Sequence, residues 1–256
     1  MTVRLHFADD VAVLTIDRPA ALNALNLDML GKLSQNVDAI SRASVRGVVV
    51  VGGGDRAFCA GADIGELRGR TSQQHQNGAS FGQRTFAKLA ALHVPSVAVI
   101  RGAALGGGLE LAMSCSYRVA VAGVKLGLPE IRLGLIPGYG GTQRLPRLVG
   151  TEKAMDMIVS GRTVSAEEAL QIGLVDKLVE EGEPVSIGIA FLDSMLKGYP
   201  AAVHLAREAV RCAGSLDLDA GLRAEAELFS LATQTEDANE GMNAFLEKRA
   251  PQFKGR

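Results

Sequence analysis

Long apolar runs are missing from this sequence. No uninterrupted stretch approaches the roughly 20 residues that span a bilayer, so no membrane-embedded protein is expected. The first residues lack a basic, then apolar, then small-residue leader, which predicts a chain that is soluble and not exported. Cysteine is scarce: Cys59, Cys115 and Cys212 are an odd number, far apart and without a CxxC pair, which argues against a disulfide framework and for reduced thiols in a cytosol. The four histidines (His6, His75, His93 and His204) are scattered, with no HExxH and no cysteine at ligand spacing, so no metal site is expected. An excess of charge is also absent. The 27 Lys plus Arg nearly cancel the 28 Asp plus Glu, leaving no field to draw nucleic acid or an anionic membrane. Aromatics make up only 4%, too few for the stacking rings that RNA recognition usually needs.

What is present is a globular composition. The 256 residues are 47% hydrophobic, enough for one large core or for a main domain with a small appendage. Residues 11–16 are almost wholly apolar and stopped by Asp17-Arg18-Pro19, which predicts a buried strand; residues 48–51 and 96–100 read the same way, and residues 117–122 read as a further strand. Between the first two lies a helical spacing of Leu30, Leu33, Val37 and Ile40. Residues 68–83 are polar, with Gly69, Gly78 and paired glutamines, and read as a mobile loop near a site; an apolar-periodic segment follows at 86–92. Strand, glycine cluster and helix recur in that order, giving an α/β domain with loops gathered at strand ends. From about residue 151 the pattern turns helical, over 152–160, 165–171, 191–197, 201–212 and most of 217–248. A soft boundary near residue 195 divides a core, 1–195, from a helical region, 196–256.

Chemistry concentrates in Ala103-Ala104-Leu105-Gly106-Gly107-Gly108-Leu109-Glu110 and in Pro129-Glu130. Glycine lets backbone approach a ligand closely, and the first turn of a helix presents unpaired N–H groups. Glu110 lies about one turn beyond those donors. Negative charge held at one end and proton transfer at the other suggest enolate chemistry. Ala57-Phe58-Cys59-Ala60-Gly61-Ala62-Asp63-Ile64 offers a second segment of small residues along which a ligand can pass. Taken singly, each glycine cluster is equally well explained by tight packing of loop on helix.

These segments, with LPEIRLGLIPGYGGTQRLPRLVG, DRPAALNAL at 17–25, SGRTVSAEEALQIGLVDKLV at 160–179 and the tail EGMNAFLEKRAPQFKG, closely resemble the enoyl-CoA hydratase/isomerase (crotonase) superfamily over nearly the whole chain. The resemblance implies a spiral core of strand-strand-helix turns with a C-terminal helical region that helps subunits pack as a trimer or a pair of trimers. It implies an oxyanion hole from the N–H groups of Ala62 and Gly107, acid/base roles for Glu110 and Glu130, and an acyl-CoA thioester as substrate with no separate cofactor. Substrate and coenzyme A contacts are implied for Arg18, Ala21, Leu22, Ala60, Asp63, Ile64, Gly106, Pro129, Gly138 and Tyr139. Glu110 is read as the base and Glu130, in an apolar setting that raises its pKa, as the proton donor; paired acids titrate as a unit, so the split stays open. Tyr139 departs from the smaller residue of many relatives and is expected to narrow or polarise the acyl pocket.

The implied reaction is hydration of an enoyl-CoA. Double-bond isomerisation on the same scaffold is the closest rival, although isomerases often manage with one carboxylate. An RNA-binding relative is disfavoured by the charge balance and the few aromatics. Gly52-Gly53-Gly54-Asp55-Arg56-Ala57 satisfies a weak dinucleotide fingerprint but lacks the helix and the second acid-ended strand that a nicotinamide site needs.

Overall fold

A computed structural model of the chain describes residues 2–196 and 201–255. The strands are β1 (Thr2–Ala8), β2 (Val11–Asp17), β3 (Gly47–Gly52), β4 (Ala57–Cys59), β5 (Ser96–Ile100), β6 (Ala103–Leu105), β7 (Tyr117–Val121), β8 (Lys125–Gly127), β9 (Thr163–Ser165) and β10 (Lys177–Val179). The helices are α1 (Leu27–Ile40), α2 (Ile64–Leu67), α3 (Ser72–Ala90), α4 (Gly107–Ala112), α5 (Gly141–Val149), α6 (Thr151–Ser160), α7 (Ala166–Gln171), α8 (Pro184–Met195), α9 (Ala202–Cys212), α10 (Leu218–Thr233) and α11 (Glu236–Leu246). Two compact units result, Met1–Leu192 and Asp193–Arg256.

In the first unit, consecutive strands from β3 to β8 alternate between two sheets. One sheet has the order β1-β2-β3-β5-β7-β10 and the other β4-β6-β8-β9. The pairs β3/β4, β5/β6 and β7/β8 therefore each contribute one strand to each sheet before a helix follows, which makes each pair one turn of a spiral. Pairing is parallel except at β1–β2 and β8–β9. β2, β3, β5 and β7 are largely apolar because both faces are covered, and the buried Arg118 of β7 is paired with Asp176. α1 buries Met29, Leu30, Leu33, Val37 and Ile40, and the Asn26 side chain caps it by accepting the Met29 N–H at 2.8 Å.

The structure corrects one expectation. Residues 68–83 are not a loop: from Ser72 they form most of α3, whose first turn carries a reciprocal capping box between Thr71 and Gln74. That satisfied start outweighs the cost of Gly78 and Gly82, and Phe86 and Leu89 bury the far half. The glycine run after β3 leads into β4, not into a helix, so it lacks the geometry of a dinucleotide loop. Of the expected helical segment 191–197, Lys197 lies outside the described residues.

Asn23 ties the turn after β2 to the other strand ends. It is fully buried, its amide nitrogen donates to the Gly53 carbonyl at 2.9 Å and the Ala57 carbonyl at 2.7 Å, and its Oδ1 accepts the Arg18 N–H at 2.9 Å. Its φ of +60° lies where asparagine is tolerated better than most residues. In the second unit Asp237 has the equivalent part, accepting N–H bonds from Ala201, Lys254 and Gly255. Asn23→Ala removes three bonds, one buried and two part-buried, worth about 1 kcal/mol each and is expected to cost about 2–4 kcal/mol of unfolding free energy. Urea denaturation measures this; a loss under 1 kcal/mol would mean that the three bonds do not hold the turn.

Candidate active site

β6 hands the chain to α4 through Gly106, whose φ of +51° and ψ of −127° fall where only glycine sits comfortably. α4 then packs its backbone directly on β4. A Cβ on Gly108 would lie 2.0 Å from the Cys59 carbonyl oxygen, so no side chain fits. This contact carries Gly107 to the segment after β4: a Cβ on Gly107 would be 3.3 Å from the Ala62 nitrogen, and one on Gly61 would be 3.3 Å from the Gly107 nitrogen. A parallel bridge fixes the opposite side of that segment, with the Leu25 N–H on the Gly61 carbonyl and the Asp63 N–H on the Leu25 carbonyl. Among the described residues, the N–H groups of Ala62 and Gly107 donate to nothing in the chain. Two adjacent free donors are the geometry of an oxyanion hole.

Both glutamates face the cavity beside these donors, which has a volume of about 400 Å³. Glu110 is buried on α4, and its Oε1 accepts the Tyr139 N–H at 2.8 Å and the Gly141 N–H at 2.6 Å. Glu130 is half-buried in the 3-10 turn Pro129–Leu133; its Oε2 is buried without a hydrogen-bond partner among the described residues, and its Oε1 is 2.8 Å from where a Gly106 Cβ would be. Burial pushes the Glu110 carboxyl up to about 7, the charge of Glu130 adds to the rise, and the two backbone donors oppose it. Burial also raises Glu130.

Ala60, Ile64, Gly106, Pro129, Gly138 and Tyr139 complete the expected part of the wall around Ala62, Gly107, Glu110 and Glu130. Arg18, Ala21, Leu22 and Asp63 do not line it. The Arg18 guanidinium lies 2.6 Å from the Asp63 carboxylate, holding that carboxyl below its ordinary range, and Asp63 in turn caps α2 through the Gly65 N–H. Leu22 accepts the Ala60 N–H, and Ala21 closes the 3-10 turn after Arg18. These four residues brace the Ala62 segment from behind. The wall also contains residues that the sequence did not flag: Arg70, His75 and Ala79 from the segment read as loop, and Leu133, Leu135 and Ile136 after Glu130. The Thr71-x-x-Gln74 capping pattern was the available signal for the first group. No group of three or more metal-ligating side chains exists among the described residues, and no described helix is long and apolar enough to cross a membrane.

The chain belongs to the enoyl-CoA hydratase/isomerase family, whose sequence model matches residues 6–256. It is 41% identical over 240 residues to the short-chain-enoyl-CoA hydratase of Clostridium acetobutylicum, covering 93% of this chain and 92% of that one. It is 39% identical over 250 residues to the crotonyl-CoA hydratase of Syntrophomonas wolfei, covering 97% and 96%. The crystal structure of the enoyl-CoA hydratase from Bacillus anthracis superposes with a TM-score of 0.92 at 37% identity, covering 99% of each chain. The two-sheet spiral is thus the crotonase fold.

The pKa of Glu110 has a measurable consequence. Its carboxyl moves from an ordinary 4.5 to about 7, so within that window the folded chain keeps a proton that the unfolded chain has lost. The stability from this group is present below 4.5 and declines as pH rises to about 7. In Glu130→Gln the neighbouring charge is gone, and the Glu110 midpoint is expected to move down. Carbon-13 NMR titration of the carboxyl checks this, and an unchanged or raised midpoint would mean that the two acids do not share one site.

Proposed function

We propose that this protein is an enoyl-CoA hydratase, a lyase of fatty-acid metabolism that reversibly adds water to a 2-enoyl-CoA thioester to give a 3-hydroxyacyl-CoA. The observation that carries this reading is the convergence of two raised-pKa carboxyls and two free backbone N–H groups on one cavity. The N–H groups of Ala62 and Gly107 take the thioester oxygen, which gains charge as water attacks the β-carbon. Removing one such donor typically costs about 10²–10³ in rate.

Glu110 accepts the proton that water gives up. Its Oε1 is held by two backbone donors, which favour the carboxylate and leave the other oxygen for the reaction. Glu130 supplies the proton to the α-carbon, since its unpartnered, desolvated Oε2 suits a neutral acid. After the addition, Glu110 carries the proton from water and Glu130 is ionised. Passage of one proton from the first to the second restores the pair. Coenzyme A is part of the substrate, and no other cofactor takes part. Isomerisation needs only one carboxyl to move a proton between carbons, so two facing the same cavity favour hydration. The near-neutral charge and few aromatics leave nucleic acid without support as a partner, and the cytoplasm is the compartment that fits reduced thiols.

The second unit supports self-association as a trimer or a dimer of trimers. Its helices expose Val210, Leu218, Leu222, Phe229, Phe245 and Leu246, with Phe245 83% exposed. A lone soluble chain rarely leaves so many large apolar groups in water. Light scattering is expected to give three or six copies, and truncation before Asp217 to cause dissociation or aggregation. A monomer at micromolar concentration would remove this part of the proposal.

Glu110→Gln and Glu130→Gln keep the shape of the side chain but cannot exchange the proton. Each is expected to lower kcat on crotonyl-CoA by about 10²–10⁴ while the thermal melt shows a folded protein. Loss of the conjugated-thioester absorbance measures the rate. Near-parental turnover in both variants, across a panel of enoyl-CoA thioesters, would overturn the hydratase reading.

A further inference from the structure

The Tyr139 ring stands between two compartments. On one side is the cavity with Glu110, Glu130 and the two free N–H groups. On the other is a groove of about 790 Å³ lined by Gln83, Gln143, Arg144 and Arg147. His75, Ala79, Ile136, Gly138 and Tyr139 border both, and Tyr139 contributes the largest side chain to that shared wall.

The ring is wedged in place. It meets Phe86 edge-on at 5.6 Å between centroids and 80° between planes, and Phe86 is itself fully buried. A Cβ on Gly82 of α3 would lie 2.3 Å from Tyr139 Cδ1, so the ring occupies the space that a side chain at residue 82 would need. On its opposite edge, Cδ2 lies 3.0 Å from where a Gly107 Cβ would be. The loop beneath is tied at two points, by the Gln83 amide donating to the Gly138 carbonyl at 2.9 Å and by the Tyr139 N–H donating to Glu110.

Gly107 is a donor to the thioester oxygen under the hydratase reading, so the ring lies one residue's width from the reacting carbons. An acyl chain that extends past the β-carbon toward the groove runs into it after few further carbons. Resting on that reading, we propose that Tyr139 is the end wall of the acyl pocket, that it restricts the enzyme to short 2-enoyl thioesters, and that glycine at residue 82 exists to admit its ring. The groove behind the wall becomes usable by a longer chain only when the ring is removed. Because the bond to Glu110 comes from the Tyr139 backbone, changing the side chain leaves that tie intact.

The test is kcat/KM for trans-2-enoyl-CoA thioesters of four, six, eight and ten carbons, with the parent, Tyr139→Ala and Tyr139→Phe. The parent is expected to lose at least about tenfold between four and ten carbons. Tyr139→Ala is expected to raise the ratio of ten-carbon to four-carbon kcat/KM at least about tenfold, mainly through KM. Tyr139→Phe keeps the ring and is expected to keep the parental ratio whatever its absolute rate. Affinities for saturated butyryl-CoA and decanoyl-CoA should shift in the same sense, a readout that does not depend on Glu110 or Glu130. If Tyr139→Ala fails a thermal-melt check, Tyr139→Leu carries the same comparison with a smaller opening. A flat parental profile, or a Tyr139→Ala variant that loses activity equally at every length, overturns the end-wall proposal. Crotonyl-CoA separates the two readings: a parent that hydrates it with an unmoved length ratio sinks only the wall, whereas a parent that hydrates no enoyl-CoA sinks the hydratase assignment and the wall with it.

Discussion

The contact between the α4 backbone and β4 is the constraint on which the site depends. With the Cys59 carbonyl only 2.0 Å from the place of a Gly108 Cβ, helix and strand approach as closely as bare backbone allows. That approach brings the Gly107 nitrogen beside the Ala62 segment, and Glu110 rides on the same six-residue helix one turn later. Any side chain at residue 108 would push helix and strand apart and separate the two donors. The donors therefore need no side chain of their own. Their geometry is inherited from packing.

The two sheets divide the labour. The sheet β1-β2-β3-β5-β7-β10 supplies largely apolar strands and most of the burial, while the short strands of the second sheet end at the site segments. Ala60–Ala62 follows β4, Gly106–Gly107 follows β6, and Pro129–Glu130 comes just after β8. Because β4, β6 and β8 are parallel neighbours, their ends lie together, and three segments remote in sequence meet there. Arg18, Asp63 and Asn23 brace this edge from outside the cavity with ion-pair and backbone bonds.

Placing two carboxyls in one desolvated cavity has an energetic cost. Burial raises both, and the charge of Glu130 makes ionisation of Glu110 harder. The fold offsets part of this by giving Glu110 two backbone N–H bonds, while Glu130 Oε2 has none among the described residues. The proposed split of base and acid between Glu110 and Glu130 rests on this asymmetry in hydrogen bonding. A site that shifts pKa in this way gives up stability near neutral pH to gain reactivity.

Much of this was legible before any coordinates. Apolar runs marked β2, β3, β5 and β7, helical period marked α1, and the glycine clusters with Glu110 and Glu130 marked the chemistry. β4, β6 and β9 were not readable as strands, since three residues carry no periodicity, and α3 was obscured by glycines and glutamines despite its capping box. The sequence by itself determined which stretches bury, which residues carry ionisable chemistry and where backbone must be bare, because these follow from side-chain type and local spacing. Tertiary structure alone decided that the Ala62 and Gly107 N–H groups lie side by side, that Arg18 pairs with Asp63, and that the Tyr139 ring packs against Gly82 and Phe86. Each of these depends on contacts between segments tens of residues apart, and such distances are set by how two sheets and their helices pack.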